Sequence, residues 1–165
     1  MHPLQVLRQK SFDVAGLFYN PNIHPFTEYQ RRKEALLGFA KESCLAVVAP
    51  QYEPRDFFRA VTLREAPPDR CRLCWALRLK EAARSAKIGA FDFFSTTLLV
   101  SPYQDQQALK TIGEALAQEE GVGFYYEDFR PGFRKAHAAA HAKGMYCQKY
   151  CGCIYSEIER VERHR

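Results

Sequence analysis

Two pairs of cysteines carry the chemistry open to this chain: Cys71-Arg72-Leu73-Cys74, and Cys151-Gly152-Cys153 within residues 150–156. Cys71 and Cys74 stand at i and i+3 where a helix should start, so both thiols share one face. Free N–H groups and the positive end of the helix dipole favour thiolates there, as metal ligands or as nucleophiles. Gly152 allows a turn tight enough for its two neighbouring sulfurs to converge on one centre or close a strained, reducible bridge. Four sulfurs in two pairs can hold zinc tetrahedrally or an iron–sulfur cluster, and spacing alone does not choose between them. A thioredoxin-type reading of the first pair is weak, because Pro67-Pro68-Asp69-Arg70 precede it where that motif needs a strand. Cys44 opens an apolar run and is expected to pack in the core. Cys147 lies close enough in sequence to join the second pair.

Other residue types could contribute. His24, between Ile23 and Pro25, suits either a substrate contact or a loop cap. His137 and His141 lie at i and i+4 on one helix face, but further ligands are not evident, so a solvated face is expected. Asp92, at the start of the third expected strand, is a strand-end cap or a site acid. The chain has no G-x-x-x-x-G-K-[ST], no G-x-G-x-x-G and no G-x-S-x-G, which leaves phosphoryl transfer, nicotinamide binding and serine hydrolysis without support.

The elements that must position these groups are readable from pattern. At 165 residues the chain is expected to be a single domain, 1–165, long enough to bury a core. No apolar run approaches the roughly 20 residues of a membrane helix. Residues 1–10 lack an apolar signal core and a cleavage site. The expectation is therefore a cytoplasmic protein, where six cysteines serve metal or redox chemistry and not structural disulfides. A net charge of +5 suits a polyanionic partner such as RNA as well as ordinary surface charge; the longest basic run is Arg31-Arg32-Lys33, of which Arg31 and Arg32 are expected to contribute to RNA binding. Apolar runs at 13–19, 44–49, 91–100 and 122–127 predict strands. Helical periodicity predicts helices over 4–10, 27–43 (opened by a Thr27/Gln30 capping box), 54–61, 71–88, 104–120, 131–143 and 154–165. Tyr29, Leu36, Leu37, Phe39 and Ala40 should form the inner side of the second of these, and Trp75, Leu79, Ala82, Ala83 and Ala86 that of the fourth. The alternation predicts an α/β fold with a mainly parallel sheet and flanking helices. The loops after Tyr19, Ala49 and Val100, at the carboxyl ends of the strands, should line the site.

Four stretches together resemble the QueH-type epoxyqueuosine reductases over nearly the whole chain. They are Phe18-Tyr19-Asn20-Pro21-Asn22-Ile23-His24-Pro25 with Glu28-Tyr29 and Arg31-Arg32; Cys71-Arg72-Leu73-Cys74 with Arg78-Leu79; Phe94-Ser95-Thr96-Thr97-Leu98 leading to Ser101-Pro102-Tyr103; and Tyr150-Cys151-Gly152-Cys153-Ile154-Tyr155-Ser156. The resemblance implies a HUP-like (adenine nucleotide alpha-hydrolase-like) fold. It implies reduction of epoxyqueuosine to queuosine at the tRNA wobble position, the last step of queuosine biosynthesis, with a [4Fe-4S] cluster and no cobalamin. Cys71 and Cys74 would then be cluster ligands. Cys151 and Cys153 would be the redox-active pair, cycling through a disulfide bond, or ligands to a second metal, iron or zinc. Asn20, Asn22, His24 and Tyr103 would bind substrate, and Asp92, Tyr103 or Tyr150 would supply the proton. The partners would be tRNA carrying epoxyqueuosine and an unidentified electron donor, with no membrane. The family's chains open with a strand ending in C-C-x-P-C, whereas this chain starts at Met1-His2-Pro3. The expectation is thus a missing first strand, central in the sheet, and two missing cluster ligands. Two rivals stand beside this reading: a zinc-stabilised RNA-binding module, and a metal-free thiol oxidoreductase.

Overall fold

The computed structural model describes residues 1–163. Strands and helices alternate as the pattern predicts: α1 (His2–Gln9), β1 (Gly16–Leu17), α2 (Phe26–Glu42), β2 (Val47–Val48), α3 (Pro54–Val61), α4 (Asp69–Ile88), β3 (Phe93–Phe94), α5 (Gln106–Glu120), β4 (Gly123–Phe124), α6 (Phe133–Ala142) and α7 (Ile154–Glu162). The last two residues of the expected 154–165 helix lie outside the described residues. Among the described residues no helix is long and apolar enough to cross a membrane.

All pairing is parallel, but it forms two sheets and not one. β1 pairs with β2, Gly16 opposite Val47, and β3 pairs with β4, Phe93 opposite Gly123. The main core lies on the second sheet. Trp75, Leu79, Ala83 and Ala86 of α4 meet Leu109 and Leu116 of α5 over Phe94, Leu99, Val122 and Phe129, with Ala82 packed against them. A smaller cluster of Phe18, Ile23 and Tyr29 fills the space between α2 and the first sheet.

Local expectations fail where a neighbouring residue overrides the pattern. The run 91–100 is not one strand: Thr96 Oγ1 accepts from the Leu98 amide, and Thr97–Val100 form a 3-10 turn. The Thr27/Gln30 capping box does not form. α2 begins at Phe26 behind extended Pro25, so Thr27 falls inside the first turn, and Glu28 and Tyr29 donate to the Pro25 carbonyl. Leu37 is exposed, because α2 turns Tyr29 and Ala40 inward and leaves Leu37 off that stripe. Cys44 is exposed too, and not in the core. It takes a left-handed conformation, φ 48°, where α2 ends and the Leu45 amide closes back on the Ala40 carbonyl.

Candidate active site

The first turns of α4 carry Cys71, half-buried, and Cys74, buried. α3 and the start of α7 close over them. Phe57, Val61, Cys74 and Cys153 form one buried cluster, with Leu73, Leu77 and Tyr155 packed on it. The two cysteine pairs, far apart in sequence, therefore meet.

Their thiols are unequal. Cys151 is exposed. Hydrogen bonds from the Cys153 thiol and the Ser156 hydroxyl hold it well below the ordinary thiol range, at about 5. Cys153, which gives up its hydrogen bond to that sulfur and is buried, is pushed up. Burial also raises Cys71, and raises Cys74 to about 11, the Arg70 and Arg78 guanidinia opposing this less strongly. The second pair thus holds one thiolate beside one thiol, two electrons and one proton in a single unit. The first pair offers neutral thiols that a cationic metal would ionise.

The loop 150–153 is clamped from α2. Arg32 pairs with Glu28 at 2.7 Å, both nearly sealed from water, at 9% and 8% side-chain exposure. The same guanidinium donates to the Gln148 side chain (2.8 Å), the Cys151 carbonyl (3.0 Å) and the Tyr150 carbonyl (3.1 Å), and lies over the Tyr150 ring. Arg32 is thus not free to face phosphates as its sequence neighbourhood suggested; Arg31 is exposed. Gly152 sits at φ 110°, and an added Cβ would come within 2.9 Å of Ile23 and 3.0 Å of Arg32. Glycine is required here for both conformation and space.

The loop after β1 forms the other wall. The His24 amide donates to the Gly152 carbonyl (2.8 Å), and the Tyr150 hydroxyl donates to the His24 carbonyl. The His24 ring packs on Phe58 and Phe57, at 4.7 and 5.5 Å between centroids. Burial lowers its pKa, so the ring is neutral at pH 7. Both its nitrogens, Asn22 Oδ1 and Arg78 Nε are buried without a hydrogen-bond partner among the described residues. Orphaned polar atoms are rare in native interiors. Several in the loop after β1, with one on α4, suit a site that binds a polar ligand.

Opposite Arg32 stands a second buried cation. Arg70, 4% exposed, grips Glu159 of α7 through two bonds (2.7 and 3.1 Å) and lies over the Tyr155 ring. It ties α7, and with it Cys153, to the start of α4. Sequence reading passed over this pair, since 89 residues separate its members. Glu28 and Arg32 were detectable as an i, i+4 pair. Ser156 was visible only as part of a motif.

The other expected residues divide. Asn20 lies in the β1 loop, its carbonyl accepting from Ile23. Tyr103 is 83% exposed, its ring edge-on to Phe133 of α6 at 6.2 Å, on a segment that Asp105 links to Arg72 of α4 at 4.0 Å. Asp92 is exposed just before β3, with its carbonyl accepting from the Gly123 amide. The Cys147 sulfur lies with the imidazoles of His137 and His141, all three ligand atoms within 4.8 Å of one another.

Residues 1–159 match the family model described as epoxyqueuosine reductase QueH. The epoxyqueuosine reductase QueH of Dehalococcoides mccartyi is 37% identical over 154 residues, covering 93% of this chain and 84% of that protein. The one from Thermotoga maritima is 33% identical over 160 residues, covering 92% and 83%. The chain belongs to the QueH family of epoxyqueuosine reductases. QueH membership makes it an oxidoreductase, and the non-catalytic zinc module gives way. The matched residues include all four cysteines of the site and both buried arginine clamps. Among the described residues, His137, His141 and Cys147 are the one group of three or more His, Cys, Asp or Glu side chains whose ligand atoms all lie within 4.8 Å of one another.

Proposed function

We propose that this chain reduces epoxyqueuosine to queuosine at the wobble position of tRNA, the last step of queuosine biosynthesis. The observation that carries the reading is the meeting of Cys71 and Cys74 with a thiolate–thiol pair at Cys151 and Cys153, beside a wall of orphaned polar groups. The reaction breaks both C–O bonds of the epoxide, forms a C=C bond and releases the oxygen as water. It consumes two electrons and two protons. Closing a disulfide between Cys151 and Cys153 releases two electrons and the Cys153 proton, and an external two-electron donor then restores the pair. Water or the exposed Tyr103 hydroxyl supplies the second proton. Tyr150, raised to about 12 chiefly by burial and bonded to the His24 carbonyl, is a poor acid and serves to hold the loop.

Two cysteines at one helix start suit two of the four ligand positions of a [4Fe-4S] cluster, and burial keeps both thiols neutral until a cationic metal ionises them. Cys71 and Cys74 would hold it, and when bound it would supply single electrons at low potential and a Lewis-acidic iron. If Cys151 and Cys153 instead hold a second metal, iron or zinc, the disulfide step is replaced. Asn20, Asn22, neutral His24 and Tyr103 bind the modified base, and exposed Phe26, Phe58 and Tyr103 offer rings for unstacked anticodon bases. The HUP-like reading requires one further parallel strand between the two sheets, and their separation supports it. The cytoplasm, where tRNA and reduced thiols coexist, is the proposed location.

The test uses anaerobically reconstituted protein, dithionite and tRNA containing epoxyqueuosine, with nucleosides read by mass spectrometry. Conversion in the wild type, loss of iron in Cys71→Ala and Cys74→Ala, and iron retained without conversion in Cys151→Ala and Cys153→Ala are expected. Full conversion by Cys151→Ala or Cys153→Ala would overturn the redox-pair assignment. No conversion by iron-loaded wild type would overturn the reaction.

A further inference from the structure

We propose that His137, His141 and Cys147 form a three-ligand site for a borderline divalent metal ion, zinc in the first instance, separate from the four-cysteine site. The argument begins with α6. His137 and His141 are one turn apart on its exposed face, their ring centroids 4.6 Å apart and the planes at 62°. The Phe133 ring lies one turn further back, nearly parallel to His137 at 6.1 Å, and limits how that imidazole can turn.

The third ligand arrives because of how α6 ends. Gly144 adopts φ 64°; its amide donates to the His141 carbonyl (2.9 Å) and the Met145 amide to the Ala140 carbonyl (3.0 Å). This glycine-terminated turn reverses the chain direction. Cys147, three residues on, comes back to the histidine face, and the three ligand atoms lie within 4.8 Å of one another. The segment is pinned on both sides of the cysteine. Tyr146 donates to Glu28, and Arg32 donates to Gln148 at 2.8 Å. The sulfur is thus held at the helix by α2, a pre-organised third ligand and not a chance neighbour.

The chemistry selects the ion. Two imidazoles and one thiolate suit zinc, cobalt or nickel better than magnesium or calcium, which want oxygen. A tetrahedral zinc sets such ligands about 3.3–3.6 Å apart, a closure that small rotations of three side chains accomplish, since His137 and His141 are exposed and Cys147 is half-buried. The fourth position stays open to water or an exogenous ligand. The site lies at the C-terminal end of α6, where the helix dipole favours a cation. A bound ion would staple α6 to the loop four residues before Cys151.

The test titrates zinc into the reduced, chelator-treated full chain. Because the other cysteines also bind zinc, the readout is specific to the histidines: imidazole proton resonances, assigned through His137→Ala and His141→Ala. Both sets of resonances should shift on zinc addition. Bound zinc per chain should fall by one in the His137→Ala/His141→Ala double variant, and affinity at this site should fall by more than about 100-fold in Cys147→Ala, beyond the 10–100-fold typical of losing a supporting partner. These variants alter exposed or half-buried side chains, and circular dichroism should be unchanged. Zinc stoichiometry and affinity equal in wild type and double variant, or histidine resonances that stay put while zinc binds, would overturn the site.

Discussion

Replacing Arg32 with methionine should unfasten the loop that carries Cys151 and Cys153. Its ion pair with Glu28 is nearly sealed from water on both sides. Taking away the cation leaves a buried carboxylate whose remaining partner is the Tyr146 hydroxyl. Removing one member of a buried pair costs about 3–5 kcal/mol, mostly through the charge left behind. The lost bonds to the Gln148 side chain and to the Cys151 and Tyr150 carbonyls are more exposed. The figure therefore belongs to the Glu28 pair, and the other bonds set where the loss is felt. Against the roughly 5–15 kcal/mol of a typical domain, about 3–5 is at least a fifth of the total.

Urea unfolding of the reduced, metal-free chain measures this directly, and hydrogen exchange at residues 148–153 should show the loop opening first. Arg32→Met/Glu28→Leu removes the stranded charge and should recover about half of the loss. A destabilisation by Arg32→Met below about 1 kcal/mol would refute the reasoning, since surface substitutions already reach that range. So would a double variant no more stable than the single one.

Further outcomes follow from single groups. In metal-free protein the iodoacetamide reactivity of Cys151, read by peptide mass spectrometry, should have a pH midpoint near about 5. Ser156→Ala should raise that midpoint by about one pH unit, since a hydrogen bond to a charged acceptor is worth ~1.5–3 kcal/mol and exposure to water favours the lower end. Midpoints in the ordinary thiol range would discount the thiolate assignment. His24 has its pKa lowered from 6.5 by burial, so the unfolded chain takes up the proton first. Its stabilising contribution is complete above about pH 6.5 and declines as pH falls from there to the lowered folded value; His24→Phe should flatten that slope in urea midpoints. Cys44→Gly, at φ 48°, should stabilise the chain by about 0.5–1 kcal/mol by relieving a left-handed side chain. Arg31→Glu should leave stability within about 0.5 kcal/mol while weakening tRNA binding and its salt dependence.

What the sequence could foretell depended on how local the deciding interaction is. α3 matches its expected limits, 54–61, because proline opens it and its periodic residues stay together. The inner face of α4 was legible for the same reason: Trp75, Leu79, Ala83 and Ala86 recur at helical spacing and are all buried. Strand lengths were not. An apolar run such as 91–100 can pair or coil, and only the position of β4 and the Thr96 hydroxyl decide where pairing stops. The split into two sheets is likewise a matter of which strands lie side by side. In the site, the four cysteines announce themselves by type and spacing. Arg70 does not, because nothing local ties it to Glu159. Cys147 gives no local cue to its neighbours: a sequence shows that Gly144 ends a helix, but not that the turn sends the following cysteine back to the histidines.

The charge around the cysteines leads to one last expectation. Arg32 and Arg70 flank the site, yet each is matched by a carboxylate, Glu28 and Glu159. Their charge is largely used before it reaches a sulfur. Of the four site thiols, Cys151 is the one that hydrogen bonds lower, while burial keeps Cys71 and Cys74 protonated. Cluster assembly must therefore displace the protons of the thiols that become ligands. If Cys71 and Cys74 are the ligands, loading at pH 7 in weak buffer should release about two protons per cluster from the protein, read with an indicator dye and corrected for the reagents. Cys71→Ser/Cys74→Ser should abolish the release. Cys151→Ala should leave it unchanged, because that sulfur is already a thiolate at pH 7. Release that persists without Cys71 and Cys74 would place the cluster on other ligands, and release that falls in Cys151→Ala would mean that this sulfur carries its proton in the resting chain.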